Sequence, residues 1–458
     1  MSANQSQTHE PLSDSLPFDS GHLNQQLLKT RLPAWFYSAP QELREALRRS
    51  LLQGQFSRRA LEPLRTRLLP VERFARPLLE QALYKRFNVQ LDVTAHQLVT
   101  MRYDEVASIR RLAPFKQTLL QAALQNFEEL EAGPGYFQPG SALLPVDGLQ
   151  LQLVEGTGTK GTVPRFRYEY RGVLAIKPEP FAELCHGLDL GGKYQAHLDS
   201  VFKPVPASGQ TREAAAQAVA EVFMNSERDA LDVLAHIARM KKHLSVAAWQ
   251  MLQQMVKTNG EPRWDGKPVR YRQLHMLGDR TFEGSPLYGA LLIELDIPDV
   301  ENGPCVVYMP GEPEHPLKEY PSLMALLVVL RRKLVNKEYQ QYFRRFVSLR
   351  HSQHFFTRLN ERLTPLTRLE SSSLLKPLYE YRFNPAAELA LEAQDVGKPP
   401  FEMLYEHLRN KTYDDSRLVA VPSRDEDQNA RQRRMQYFES QGLNLLNVMG
   451  FLFPCWAK

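Results

Sequence analysis

Apolar residues recur at helical spacing through the first third of the chain. Leu43, Ala46, Leu47 and Leu51 share a face, and Ser38-Ala39-Pro40-Gln41 ahead of them reads as a helix start, with Ser38 as cap and Gln three residues later. Leu79, Ala82, Leu83 and Phe87 repeat the pattern over 76–87, and helices are expected to follow to about residue 130. Gly133-Pro134-Gly135 closes that block. The period then changes from 3.6 to 2. Leu149-Gln150-Leu151-Gln152-Leu153 and Arg165-Phe166-Arg167-Tyr168-Glu169-Tyr170 alternate apolar with polar, as half-buried strands do, and predict a hairpin across the glycine-rich turn at 156–161. Helical spacing returns at 212–256, strand-like runs at 290–295 and 305–309, and a long helical stretch over 322–363 precedes a looser region reaching residue 421. The pattern predicts an α+β fold, predominantly α-helical with small antiparallel β insertions.

The expected organisation is a disordered leader at 1–28, a helical region at 29–140, a mixed α+β region at 141–310 with two β segments, a basic long-helix region at 311–421, and a charged linker with an apolar end at 422–458. No internal repeat of fixed period is present. At 458 residues, 43% apolar content and net charge +5, the composition is that of a globular chain and is too weakly basic for a nucleic-acid binder. The first twenty residues lack the basic and apolar regions of a secretory signal. Three scattered cysteines, Cys185, Cys305 and Cys455, give neither a disulfide framework nor a zinc ribbon.

Candidate chemistry is sparse. The Gly156 to Thr162 loop carries Gly, Lys and Thr, but its spacing is not that of a P-loop and a strand follows it, so a flexible turn is the better reading. Cys185-His186, with Asp189 and His197 nearby, is the candidate for thiol catalysis; neighbours on a helix point about 100° apart, so the pair alone makes no dyad. His351 and His354 stand at i and i+3, able to share a metal, yet no third ligand is nominated, Glu361 being no better than chance. No catalytic, cofactor-binding or metal residue is therefore assigned. The aromatic clusters at 35–37, 342–343 and 355–356 are assigned to packing.

The basic stretch is more informative. Residues 331–362 carry nine Lys or Arg against two Glu, with apolar residues at 335, 339, 342, 346, 349, 356, 359 and 363 keeping a helical face. Arg331, Arg332, Lys333, Lys337, Arg344, Arg345 and Arg350 are the candidates for meeting an anionic surface such as acidic lipid, against the plainer reading of a solvated face with internal carboxylate partners. At the other extreme, Leu445, Leu446, Val448, Phe451, Leu452 and Phe453 form an apolar run just before Lys458. As a helix, 443–456 would reach about 21 Å against roughly 30 Å of bilayer hydrocarbon, so it is expected to touch a membrane or dock on the protein without spanning.

Several stretches together resemble the N-terminal domain of large bacterial dermonecrotic-toxin-like proteins. They are 32–35 with Ala39-Pro40, 79–87, 181–185 with 188–194, Val307-Tyr308-Met309-Pro310-Gly311, Glu319-Tyr320-Pro321-Ser322-Leu323, 339–343, and 418–422 with 425–427 leading into 442–447. The resemblance implies a non-catalytic front module of a longer polypeptide. Its partners would be a host membrane or surface receptor, and it would help deliver a downstream effector. In such proteins the apolar run at 442–454 continues further; here it gives way to Cys455-Trp456-Ala457-Lys458, so a truncated chain is expected. The alternatives are a small effector enzyme using Cys185 with a distant histidine, and an inactive cytoplasmic remnant whose apolar end packs on its own helices.

Overall fold

The computed structural model describes residues 33–417, less 107–108, 126, 155–164, 258–260, 277–283, 298–302, 350, 353–354, 361–362 and 364–390. In chain order the helices are α1 (Ala34–Tyr37), α2 (Gln41–Arg67), α3 (Val71–Phe87), α4 (Leu119–Leu124), α5 (Glu129–Ala132), α6 (Pro178–Leu188), α7 (Leu190–Phe202), α8 (Arg212–Met240), α9 (Val246–Lys257), α10 (Leu323–Leu334), α11 (Lys337–Phe343) and α12 (Pro400–Arg417). The strands are β1 (His96–Val106), β2 (Ile109–Thr118), β3 (Ala142–Pro145), β4 (Leu149–Val154), β5 (Arg165–Tyr170), β6 (Arg263–Trp264), β7 (Lys267–Met276), β8 (Ser285–Pro286), β9 (Leu291–Leu295), β10 (Cys305–Tyr308), β11 (Leu317–Tyr320) and β12 (Leu391–Asp395). The fold is α+β and predominantly helical, with antiparallel sheets.

The largest sheet runs β11-β10-β9-β7-β12, with β6 and β8 also pairing on β7. Its two faces are both buried. Leu292, Cys305 and Val307 pack with α10 and α11, while Leu291, Ile293, Val306 and Tyr308 pack with α8 and α9. Successive side chains of a strand point to opposite faces, so a strand covered on both sides reads as an unbroken apolar run, as 291–293 and 305–308 do. Truncating one such side chain, Leu292→Ala for example, costs about 2–5 kcal/mol. The β4–β5 hairpin pairs Leu149 with Tyr170 and Val154 with Arg165, as the alternation predicts.

Four local expectations are corrected. Helices do not continue from residue 88 to 130: β1 and β2 form a long hairpin there, joined by β3. The looser region contains β12, which pairs with β7, and the long helix α12. Ser38 is not the cap of α2; its Oγ donates to the Ala34 carbonyl at the end of α1, and Pro40 occupies the cap position. The stretch 322–363 is not one helix, because the Asn336 side chain accepts from the Glu338 and Tyr339 amides and starts α11 anew. The leader at 1–28, the 156–162 loop and everything after residue 417 lie outside the described residues.

Candidate functional site

The predicted cations do not share one solvent face. Arg331 and Arg345 are buried. Arg345 donates from Nη1 to the Pro310 carbonyl (3.1 Å) and from Nε to the Tyr342 carbonyl (3.2 Å), and its guanidinium lies 4.2 Å from the Tyr342 ring centre. Arg344 reaches Ser352 Oγ at 3.2 Å and sits over Phe356. Lys333 pairs with Glu312 (2.5 Å) and Glu314 (2.8 Å). Arg332 and Lys337 are exposed, Lys337 donating to Asn360 Oδ1 at 2.7 Å. Arg350 lies outside the described residues, as do His354, Glu361 and the apolar residues Leu445, Leu446, Val448, Phe451, Leu452 and Phe453.

Lys333 belongs to a dense ionisable cluster with Glu312, Glu314 and His315 of the β10–β11 turn, Tyr320 of β11 and Tyr339 of α11. Glu312, buried in the β10–β11 turn, accepts from the Glu314 and His315 amides as well as from Lys333. Burial opposes the charge on Lys333, but the hydrogen bonds it donates to Glu312 and Glu314 outweigh it and raise its pKa; the same contact lowers that of Glu314. His315 packs edge-on against His243 at 4.4 Å, and burial, with His315 and the Lys241 and Lys318 charges adding to it, lowers His243 to about 4. The space left among Val307, Glu312, Tyr320, Lys333 and Tyr339 is only about 10 Å³. One water needs that much. The cluster is thus filled by its own side chains and clamps a turn to α10 and α11.

Cys185 is wholly buried in the core of α3, α6 and α7, and burial pushes its thiol far above the usual range. The thiolate that nucleophilic chemistry needs is disfavoured there. His186 is turned to the Phe127 carbonyl (Nδ1, 2.6 Å), and His197 to the Arg67 carbonyl (Nε2, 2.8 Å). Asp189, at φ 43°, caps α7 by accepting from the Gly192 amide at 3.1 Å. Of the four polar groups that invited a catalytic reading, one is buried and three are held in contacts with the backbone. Among the described residues no group of three or more His, Cys, Asp or Glu is placed to hold a metal, and His351 Nδ1 contacts Ser348 Oγ instead.

One feature escaped the sequence pattern. The inner face of α2 is anchored on α8: Leu47, Ser50, Leu51 and Ser57 are buried, Ser50 Oγ donates to Asp232 Oδ2 at 2.5 Å, and Ser57 Oγ donates to Asp229. That anchoring forces Arg48, Leu52, Phe56 and Arg59, which fall on one line at i, i+4, i+8 and i+11, to the outside. Leu52 is 56% and Phe56 64% exposed. The available signal was two large apolar residues lying off the buried stripe between arginines.

No helix among the described residues is long and apolar enough to cross a membrane. Among curated proteins the sequence finds no match. The family model of the dermonecrotic toxin N-terminal domain matches residues 66–350, more than half of the chain. Its span takes in the Cys185 core, the Lys333 clamp and both larger sheets except β12. The chain belongs to the dermonecrotic toxin N-terminal domain family.

Proposed function

We propose that this chain is the non-catalytic front module of a toxin, engaging a host membrane or surface receptor and assisting delivery of a downstream effector. Family membership supports the toxin module. The deep burial of Cys185 favours the non-catalytic reading over the cysteine-enzyme alternative. The observation that carries membrane engagement is the outer face of α2, where Leu52 and Phe56 stand exposed between Arg48 and Arg59. Apolar side chains inserted at the headgroup boundary and flanked by cations are the chemistry of attachment to an anionic bilayer. Burying two large apolar side chains contributes about 3–6 kcal/mol. Each arginine near an anionic surface adds about 1 kcal/mol. The sum describes reversible, salt-sensitive attachment, to which the exposed Arg332 and Lys337 would add.

Co-sedimentation of the full chain with vesicles of phosphatidylcholine, with and without phosphatidylserine, tests this reading. Binding should appear with the anionic vesicles, weaken with salt, and drop severalfold in a Leu52→Ser/Phe56→Ser variant and in an Arg48→Glu/Arg59→Glu variant. Equal and negligible binding to both vesicle types would remove the membrane reading.

A further inference from the structure

The C-terminal end of α8 is closed by a Schellman motif: the Lys242 amide donates to the Arg239 carbonyl (3.1 Å) and the His243 amide to the Ala238 carbonyl (2.8 Å). The left-handed residue of such a motif is ordinarily glycine. Here it is Lys242, exposed and at φ 61°. That conformation is costly for any residue with a Cβ, and strain of this kind gathers where ligands are held. The motif sets Lys241, Lys242 and His243 against the β10–β11 turn. The Glu319 amide donates to the His243 carbonyl at 3.0 Å, which brings β11 alongside. The His243 and His315 rings meet edge-on, their centres 4.4 Å apart. Lys318 Nζ lies 5.3 Å from the Tyr320 ring centre, and Lys241 Nζ 5.6 Å from that of Trp35.

Cations crowd this corner, and the carboxylates beside it are engaged with other donors. Glu312 accepts from Lys333 and from the Glu314 and His315 amides, and Glu314 pairs with Lys333. Glu319 accepts from the Ser245 amide at 2.6 Å, ahead of α9. Burial is the largest influence on His243. Among the described residues the charges that act on it, those of His315, Lys241 and Lys318, are all positive. On His315, burial and the Lys318 and Lys333 charges outweigh Glu312 and Glu314. Both imidazoles are therefore held below the usual histidine value and are neutral at pH 7. His243, His315 and Lys318 are half-buried and Lys242 is exposed, so the corner is open to solvent.

We propose that this corner binds a phosphate monoester, taken up by His243, His315 and Lys318 with Lys241 and Lys242 at its edge. A neutral imidazole carries one N–H and one bare nitrogen. A phosphate monoester has its second pKa near 6, so at neutral pH it offers both oxygens that accept and a P–OH that donates. Its oxygens accept from the lysines and an imidazole N–H, while its proton goes to a bare nitrogen. A sulfate ester or a carboxylate has no proton to give at that pH and sets an oxyanion against the imidazole lone pair. A divalent cation meets the field of the lysines, and among the described residues no third metal ligand joins the two histidines. The same group comes from two sources, a soluble ester or a lipid headgroup. The site does not rest on the α2 face: a soluble ester decides it without a membrane, and negligible vesicle binding leaves it intact.

Calorimetric titration of the full chain with glycerol 3-phosphate tests the site. Binding should be saturable, with methyl sulfate and acetate at least tenfold weaker. In NMR spectra of the histidine-labelled chain, two of the twelve imidazoles should shift together and titrate at higher pH when the ester is bound. Lys318→Gln should weaken binding about tenfold. Lys242→Gly removes a charge and the left-handed strain together, so it should weaken binding severalfold while raising the melting temperature, a combination misfolding cannot produce. If Lys318→Gln fails to fold, Lys242→Gly decides the matter. Vesicles of phosphatidylcholine carrying phosphatidic acid or phosphatidylserine at equal surface charge separate the sources. A preference for phosphatidic acid that Lys318→Gln abolishes assigns the site to a lipid headgroup; equal binding, with the glycerol 3-phosphate affinity intact, assigns it to a soluble ester. No saturable binding of glycerol 3-phosphate, methyl sulfate bound as tightly, or unchanged affinity in Lys242→Gly or in a folded Lys318→Gln protein would each overturn the proposal.

Discussion

Glu72 shows how far one buried group can shift the balance of this fold. It lies in the first turn of α3, buried, with neither carboxylate oxygen hydrogen-bonded to another side chain or amide. A helix N-terminus favours a negative charge. Here burial is the larger effect and carries the carboxyl from 4.5 to about 7. The folded state therefore holds a proton that the unfolded chain releases earlier. The contribution of Glu72 is fully present below about pH 4.5, is lost as the pH rises from there through about 7, and leaves stability lower by about 3 kcal/mol above that. Glu72→Gln should leave stability near pH 4 unchanged and raise it by about 2–3 kcal/mol at pH 8, read from urea unfolding at the two pH values. A variant equally stable with the wild type at pH 8 would show that Glu72 is solvated in the fold.

At the level of elements, a different lesson comes from the breaks. Asn336 satisfies two amides at the start of α11, and Asn336→Ala should cost about 1 kcal/mol, seen as a lower urea midpoint with an unchanged slope. The sequence around it carries helical periodicity on both sides, which is why 322–363 reads as one helix. The apolar positions are nonetheless legible: Tyr342, Phe346, Leu349, Phe356, Leu359 and Leu363 are all in the core. The β4–β5 hairpin and strands β9 and β10 are legible because their patterns are regular. The β1–β2 hairpin is not. Pro114 interrupts β2, and a proline inside a run argues against a central strand. It is tolerated because β2 is an edge of its sheet, in the order β2-β1-β3. That order is set by contacts remote in sequence. Residues Thr100, Gln125 and Gln138, which line one cavity beside this hairpin, are illegible as neighbours for the same reason, since they meet only after the chain turns back at Gly135 and Gly140. The α2 face was hidden by its own helix, since exposure of Leu52 and Phe56 depends on where α8 packs.

On the scale of the whole molecule, the family match ends at residue 350, but the fold does not. Helix α12 returns from residue 400 and ties the chain's distant parts together. Tyr405 packs on Phe202 of α7 and Phe223 of α8, and Tyr413 Oη donates to Asp199 at 2.7 Å. His407 Nδ1 accepts from the Gly289 amide at 3.0 Å, next to β9 of the largest sheet. Deeper still, Lys411 and Asp415 form an ion pair at 2.8 Å, both wholly buried, and Asp415 also accepts the Leu349 amide at 2.7 Å. Losing one partner of such a pair costs about 3–5 kcal/mol. Removing the helix would also expose Phe202 and Phe223, and removing β12 would leave β7 without its outer neighbour. A chain cut to residues 66–350 also lacks α2, which covers α8 through Ser50 and Ser57. Each loss strips a different face of the same core, and together they approach the 5–15 kcal/mol that holds an ordinary domain folded. The shortened chain should therefore bind a hydrophobic dye and unfold in urea over a broad range, whereas 33–417 unfolds sharply. A sharp transition at the same midpoint for both would mean that the matched region is self-sufficient and that α12 is only an attachment to it.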